Sequence, residues 1–180
     1  QGGKIVHWDG RRGSVANVEA SESFRDIYGL DANNIYAVAG TSDAYRPGEL
    51  FYYNGANWKL LKTGSLMPNE DQLYGPFYSV WTYSNELYVG GGSLAQRIDG
   101  IWIEERFGYI IYRVRGTNSN NIFASGPFGN VAHYNGIEWH KYEELTRDSG
   151  VMSGIFISGS KVFIVGYTTS NTTLIYIANK

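Results

Sequence analysis

Cysteine is absent from this 180-residue chain. That excludes a disulfide framework, a thiolate metal site and a cysteine nucleophile. Histidine is scarce, with three copies at His7, His133 and His140, and no two of them share metal-ligand spacing on one element. Charge is sparse and balanced: 18% of residues are charged and the formal net charge is −2. A nucleic-acid surface normally shows a basic stripe, and none is present, so nucleic acid is not an expected partner. No apolar run approaches the roughly 20 residues that a membrane-spanning helix needs, so no membrane insertion is expected. No secretory leader is visible, since Gln1-Gly2-Gly3-Lys4 runs straight into a strand-like segment. Helical periodicity is weak throughout, and residues 142–147 have room for one helical turn at most. No glycine-rich loop opens a helix, so no phosphate cradle or cofactor site is expected, and Gly90-Gly91-Gly92 reads as a strand end.

What is present points one way. Apolar residues make up 43% of the chain, enough for one ordinary domain with a substantial core. There are 23 glycines, 15 tyrosines, 8 phenylalanines and 5 tryptophans. Glycine supplies positive φ at tight turns and aromatics favour strands, so the chain reads as all-β with many turns.

It also repeats. Ile35-Tyr36-Ala37-Val38-Ala39-Gly40, Leu87-Tyr88-Val89-Gly90-Gly91, Ile122-Phe123-Ala124-Ser125-Gly126 and Val162-Phe163-Ile164-Val165-Gly166 are versions of one phrase. Each follows a turn pair (Asn33-Asn34, Ser84-Asn85, Asn120-Asn121, Gly159-Ser160), and before each turn lies another apolar run containing Ile27, Val80, Val114 or Ile155. A second phrase ends in Asn54-Gly55, Asp99-Gly100 and Asn135-Gly136, with Trp58, Trp102 and Trp139 just beyond; Val6-His7-Trp8-Asp9-Gly10 is a further copy. Asn-Gly and Asp-Gly predict hairpins with type I′ turns, which need positive φ at both central residues. The unit is therefore four strands, A to D, in roughly 40 to 50 residues, the size of a β-propeller blade.

The pattern Asn-Asn-Ile-Tyr-Ala-Val…Gly…Tyr-Asn-Gly-x-x-Trp resembles the short aromatic repeats of bacterial propeller proteins and is distantly similar to kelch repeats. The Tyr-to-Trp distance (Tyr53 to Trp58, Tyr134 to Trp139) is shorter than in kelch, and the WD signature is mimicked only once, at Trp8-Asp9. The resemblance implies an all-β propeller of four-stranded antiparallel blades and an extracytoplasmic setting. It implies little about activity, because propellers host unrelated functions. The expected organisation is a blade remnant at 3–20, blades at 24–62, 77–105 and 110–142, and a partial blade at 151–178. This is the expected layout of the C-terminal part of a six- to eight-bladed ring, with a small four- or five-bladed ring closed by the N-terminal strands as the alternative. An open ring would expose an apolar blade face for another chain or fragment to cover.

Antiparallel strands put the A–B and C–D turns on one face and the B–C and D–A loops on the other. The long, divergent loops (41–48, 62–76, 104–109, 127–130, 141–150, 167–172) all belong to the second face. Variable loops on a rigid scaffold are where binding residues concentrate. Asp43, Tyr45, Arg46, Tyr74, Arg106, Tyr109 and Phe128 are the candidates there, since arginines and aromatics anchor interfaces; the competing role for the rings is to cap gaps between blades. In strand A, Asp26, Ser79, Arg113 and Gly154 are equivalent, as are Tyr28, Trp81, Arg115 and Phe156. Arg113 and Arg115 need water or a partner: either an anionic ligand in the channel or an internal pair with Asp26.

Catalysis finds little support. His7 and His133 share one repeat position, as a packing element would, and Asp9 and Asp99 alternate with Asn54 and Asn135, so their charge is dispensable. The function expected is non-catalytic binding of a protein or glycan on the long-loop face. The alternative is part of a propeller glycoside hydrolase or lyase, which needs two carboxyl groups about 5–10 Å apart; Asp26 and Asp43 are its only candidates. A sequon at Asn171-Thr172-Thr173 would matter only in a eukaryotic secretory protein.

Overall fold

The computed structural model describes residues 3–43, 45–67, 71, 73–147, 149–170 and 172–179. Asn171 of the sequon lies outside the described residues. Among the described residues, seventeen strands form five consecutive antiparallel sheets. β1 (Gly3–Trp8) and β2 (Gly13–Val18) pair as a hairpin. Three four-stranded sheets follow. The first contains β3 (Phe24–Asp31), β4 (Asn34–Ala39), β5 (Glu49–Tyr53) and β6 (Trp58–Thr63). The second contains β7 (Ser79–Tyr83), β8 (Glu86–Gly90), β9 (Leu94–Ile98) and β10 (Ile101–Glu105). The third contains β11 (Arg113–Asn118), β12 (Asn121–Ser125), β13 (Val131–Tyr134) and β14 (Trp139–Lys141). The last sheet has three strands, β15 (Val151–Ser158), β16 (Lys161–Tyr167) and β17 (Thr173–Asn179). A single 3₁₀ turn at Glu143–Leu145 is the only helical element among the described residues, and no helix is long and apolar enough to cross a membrane.

Strand order within every sheet is sequential, and neighbouring sheets meet through their first strands, β3 against β7, β7 against β11 and β11 against β15. This is β-propeller architecture, with the A strands innermost. Four apolar clusters lie between the five sheets, one per gap. Val18, Ala20, Ala39 and Phe51 fill the first; Val38, Leu50, Phe77, Val80 and Val89 the second. Trp81, Tyr88, Val114 and Ile122 fill the third, and Phe123, Met152, Val162 and Ile164 the fourth. The second strands of the three middle sheets, β4, β8 and β12, are buried on both faces along half or more of their length, which is why period-2 alternation is blurred there in the sequence. Burial at roughly 1.5–3 kcal/mol per fully buried Val, Leu, Ile or Phe makes these gaps the main stabilising element. The glycine ending the first phrase has a steric cause. A Cβ on Gly40, Gly126 or Gly166 would lie 2.4, 2.3 or 2.0 Å from the backbone oxygen of Phe77, Ile110 or Val151.

One expectation needs correction. The second phrase does not build four type I′ hairpins. Only Asp99-Gly100 has both residues at positive φ (48° and 84°), joining Ile98 directly to Ile101. At Asn54, Asn135 and Asp9 only the following glycine is left-handed. There the side-chain oxygen instead accepts two backbone N–H bonds, from Ala56 and Asn57, from Ile137 and Glu138, and from Arg11 and Arg12. These Asx turns explain why Asp and Asn interchange, since each offers the same acceptor. Among the described residues β1 and β2 pair only with each other and β17 only with β16, so no strand pairing joins the first sheet to the last. The outer face of the last sheet accordingly exposes Phe156, Val165, Ile175 and Ile177.

Candidate functional site

The site is built from one register position of the inner strand. Arg25, Tyr78, Tyr112 and Ser153 each precede an equivalent residue in the set Asp26, Ser79, Arg113 and Gly154. All four line one cavity of about 390 Å³, together with Ser42, Arg113, Val151 and Tyr167. Strand A runs away from the long-loop face, so residues at its start surround the mouth of the central channel there. On β3 and β15 the register slips at this point, between Phe24 and Asp26 and between Met152 and Gly154. Arg25 and Ser153 are therefore the extra residues of two β-bulges, which re-aim a side chain out of the ladder. On the two intervening strands the equivalents are tyrosines, whose rings meet edge to face at 4.9 Å.

Beneath the mouth lies an ion-pair network. Asp26, with its side chain 7% exposed, sits 2.8 Å from Arg113 Nη1 and 2.8 Å from Arg115 Nη2. Its other oxygen accepts from Ser79 Oγ at 2.8 Å, the Val80 N–H at 2.9 Å and Arg115 Nη1 at 3.0 Å. Arg115 also donates to the backbone oxygens of Val80 and Val114, and its guanidinium stacks over Tyr28. Arg113 Nε donates to the Ser153 oxygen. One carboxylate thus ties together the inner strands of three sheets, and Arg113 reaches the fourth. Burial pushes the Asp26 carboxyl up, but the bonds and charges of Arg115, the charge of Arg113 and the Val80 N–H outweigh it, leaving the group below the usual carboxylate range.

Electrostatics at the mouth follow from this stoichiometry. Asp26 is shared by two arginines, and a third, Arg25, stands above. Arg25 Nε donates to the Gly40 oxygen at 2.8 Å, while its terminal nitrogens have no partner among the described residues. No acidic residue is among those lining the cavity. Tyr78 donates to the Thr41 oxygen; burial and then the nearby Tyr112 raise its phenol, opposed by Arg25. It stays protonated at neutral pH.

Of the loop residues singled out by sequence, Tyr74 and Arg106 lie close enough to interact, and the others have partners of their own. Tyr45 is 86% exposed, on a turn capped by Asp43, whose Oδ1 accepts its N–H. Arg46 beside it pairs with Glu22. Phe128 is 51% exposed at φ 59°. With Gly129 at 75° and the Asn130 N–H bonded to the Pro127 oxygen, it occupies a type I′ turn that a bulky side chain rarely enters. Tyr74 donates to the Gly92 oxygen and Arg106 Nε to Glu104. Tyr109 packs on Phe107 and Gly126 in the gap between the second and third sheets, and burial raises its phenol to about 12. Arg113 and Arg115 are paired with Asp26. Sequence reasoning missed Arg25, Tyr78, Tyr112, Ser42, Ser153 and Tyr167. The signal for the first three and Ser153 was present, one step along the register already drawn for strand A.

Among the histidines, His133 stacks on Phe123 at 4.1 Å and bonds Asn121. Groups of three or more metal-ligating side chains are absent among the described residues. A larger cavity of about 900 Å³ lies elsewhere, between β1–β2 and the β3–β6 sheet, lined by Ile27, Ile35, Leu60 and other apolar residues. It is the space left where two strands cover only part of a four-stranded face.

No protein-family model and no curated protein sequence matches the chain. Solved structures do match. The computationally designed Ika4 protein aligns with TM-score 0.54 at 11% identity, over 87% of this chain and 92% of its own. YCF48, solved bound to D1 peptide, aligns with TM-score 0.58 at 15% identity over 96% of this chain. The designed Ika8 protein aligns with TM-score 0.59 at 10% identity over 92% of this chain. The chain spans 57% of YCF48 and 52% of Ika8. At these identities the likeness is one of fold, and the fold is a β-propeller.

Proposed function

We propose that this chain is a non-catalytic binding propeller that recognises a protein ligand through the face carrying its B–C and D–A loops. The observation that carries the proposal is the axial mouth, where the starts of inner strands from four sheets place Arg25, Tyr78, Tyr112, Arg113 and Ser153 around one cavity, with Tyr167 of β16 beside them. Arginine and tyrosine are the side chains that most often anchor interfaces. The exposed Tyr45 and Phe128 stand on the same face, and a left-handed phenylalanine is a strained residue of the kind that clusters at functional sites. That the similar fold of YCF48 was solved with a peptide supports a peptide over a glycan. A glycosidase reading is not favoured, because Asp26 is held below the usual range by two guanidiniums, the opposite of what a general acid requires. Pull-down with the Tyr45→Ala, Arg46→Ala, Phe128→Ala triple variant tests the face. Loss of partner capture with an unchanged melt is expected; capture at the original level would refute the assignment.

A further inference from the structure

We propose that the axial mouth binds a carboxylate presented by a peptide, with Arg25 and Arg113 as its ligands. The inference rests on the long-loop face being the binding face, and deepens it to one subsite and one ligand chemistry.

Charge counting comes first. Around the channel three guanidiniums, of Arg25, Arg113 and Arg115, face one carboxylate, that of Asp26. Asp26 is saturated: its two oxygens already receive bonds from both arginines, Ser79 and the Val80 N–H. The excess positive charge is directed to the mouth, where Arg25 has two terminal nitrogens without a partner among the described residues and no acid among the lining residues. A guanidinium fork matches a carboxylate bidentately, which neither a neutral amide nor a hydroxyl can do.

The surroundings fit the same group. Tyr112 makes no hydrogen bond through its hydroxyl among the described residues, and its ring, with that of Tyr78, forms a wall beside the two arginines. Ser42 and Ser153 add small polar side chains at the rim. The cavity of about 390 Å³ is open at its mouth and has room for one or two residues. A chain end reaches such a place by entering once, whereas an internal segment must also leave. The C-terminal carboxylate is therefore the expected source, with an Asp or Glu side chain as the other.

The test uses two octapeptide libraries of identical random sequence, one with free C-terminal carboxyl groups and one amidated, together with succinate as a small probe. Wild type is expected to enrich the free-acid library over the amidated one. Arg25→Gln is expected to weaken that binding on the order of tenfold. The Arg25 side chain makes one backbone bond and lies outside the buried pair, so this variant should fold; Arg113→Lys keeps the charge but removes the terminal nitrogen left over from the Asp26 and Ser153 bonds and should weaken binding in the same direction. Enrichment of Asp- and Glu-containing peptides regardless of amidation would retain the carboxylate site and assign it to a side chain. Peptides bound equally by wild type and both variants, without preference for acids, would overturn the carboxylate site while leaving the loop-face reading intact. Succinate shifting the Tyr112 and Arg25 NMR signals while neither library binds would keep the anion site and refute the peptide reading. Silence from all three probes would refute both.

Discussion

Asp26→Asn tests the ion-pair network at its shared acceptor. The substitution keeps the shape and removes the charge. It leaves Arg113 and Arg115 facing each other across a position where the side chain was 7% exposed, and turns one acceptor oxygen into an N–H₂ group beside the donors Ser79 and Val80. Removing one partner of a buried ion pair costs about 3–5 kcal/mol, because the remaining charge stays desolvated. For a chain of this size that is a fall of roughly 6–20 °C in Tm. A double variant, Asp26→Asn with Arg115→Met, should recover part of the loss, since it withdraws one unpaired charge. The pH dependence follows from the same group. The folded carboxyl lies below its ordinary value, so its contribution is fully present above the unfolded pKa of about 3.9. It is lost as pH falls through the folded pKa, and the Asn variant should lack that part of the acid-unfolding limb. Thermal melts followed by circular dichroism between pH 2 and 7 (about the accessible carboxylate range) read both effects. A Tm for Asp26→Asn within a degree or two of wild type would show that the network is solvated in solution and contributes nothing to joining the sheets.

The turn glycines make a graded series. Gly55, Gly100 and Gly136 all have φ between 84° and 95°, so valine at any of them should cost about 1–3 kcal/mol in backbone strain. The added Cβ would also meet Asn33 Oδ1 at 2.0 Å at Gly55 and Asn120 Cβ at 2.5 Å at Gly136, but nothing closer than 3.9 Å at Gly100. The Tm losses should therefore be larger at 136 and 55 than at 100; three equal losses would mean that φ alone decides. Phe128→Asn should raise stability by roughly 0.5–1 kcal/mol, because Asn tolerates the left-handed region, while weakening partner capture. A lowered Tm in that variant would assign Phe128 to packing and remove the strain argument.

The repeat phrases, read as a row of letters, already fixed the order of the strands, because turn chemistry and β-rich runs are local. Asn-Asn, Asn-Gly and Asp-Gly mark chain reversals wherever they sit, and a run such as Leu87-Tyr88-Val89-Gly90 has little alternative to a strand. Even the face carrying the long loops followed from counting antiparallel reversals. Turn type was not legible: Asp99-Gly100 and Asn54-Gly55 look alike, and whether two or four residues lie between the paired positions depends on how the flanking strands register. The channel was legible only in part. The equivalence of Asp26, Ser79 and Arg113 came from the repeat, and a pair between Asp26 and an arginine came from the cost of burying charge. That one carboxylate meets both Arg113 and Arg115, across the intervening sheet, depends on how far each sheet is rotated from the last. The mouth above it depends on two bulges, at Arg25 and Ser153, that no residue type announces. A bulge is set by the mismatch between two strands that are each anchored elsewhere, so it belongs to the tertiary structure, and with it the gathering of Arg25, Tyr78, Tyr112 and Ser153 into one site.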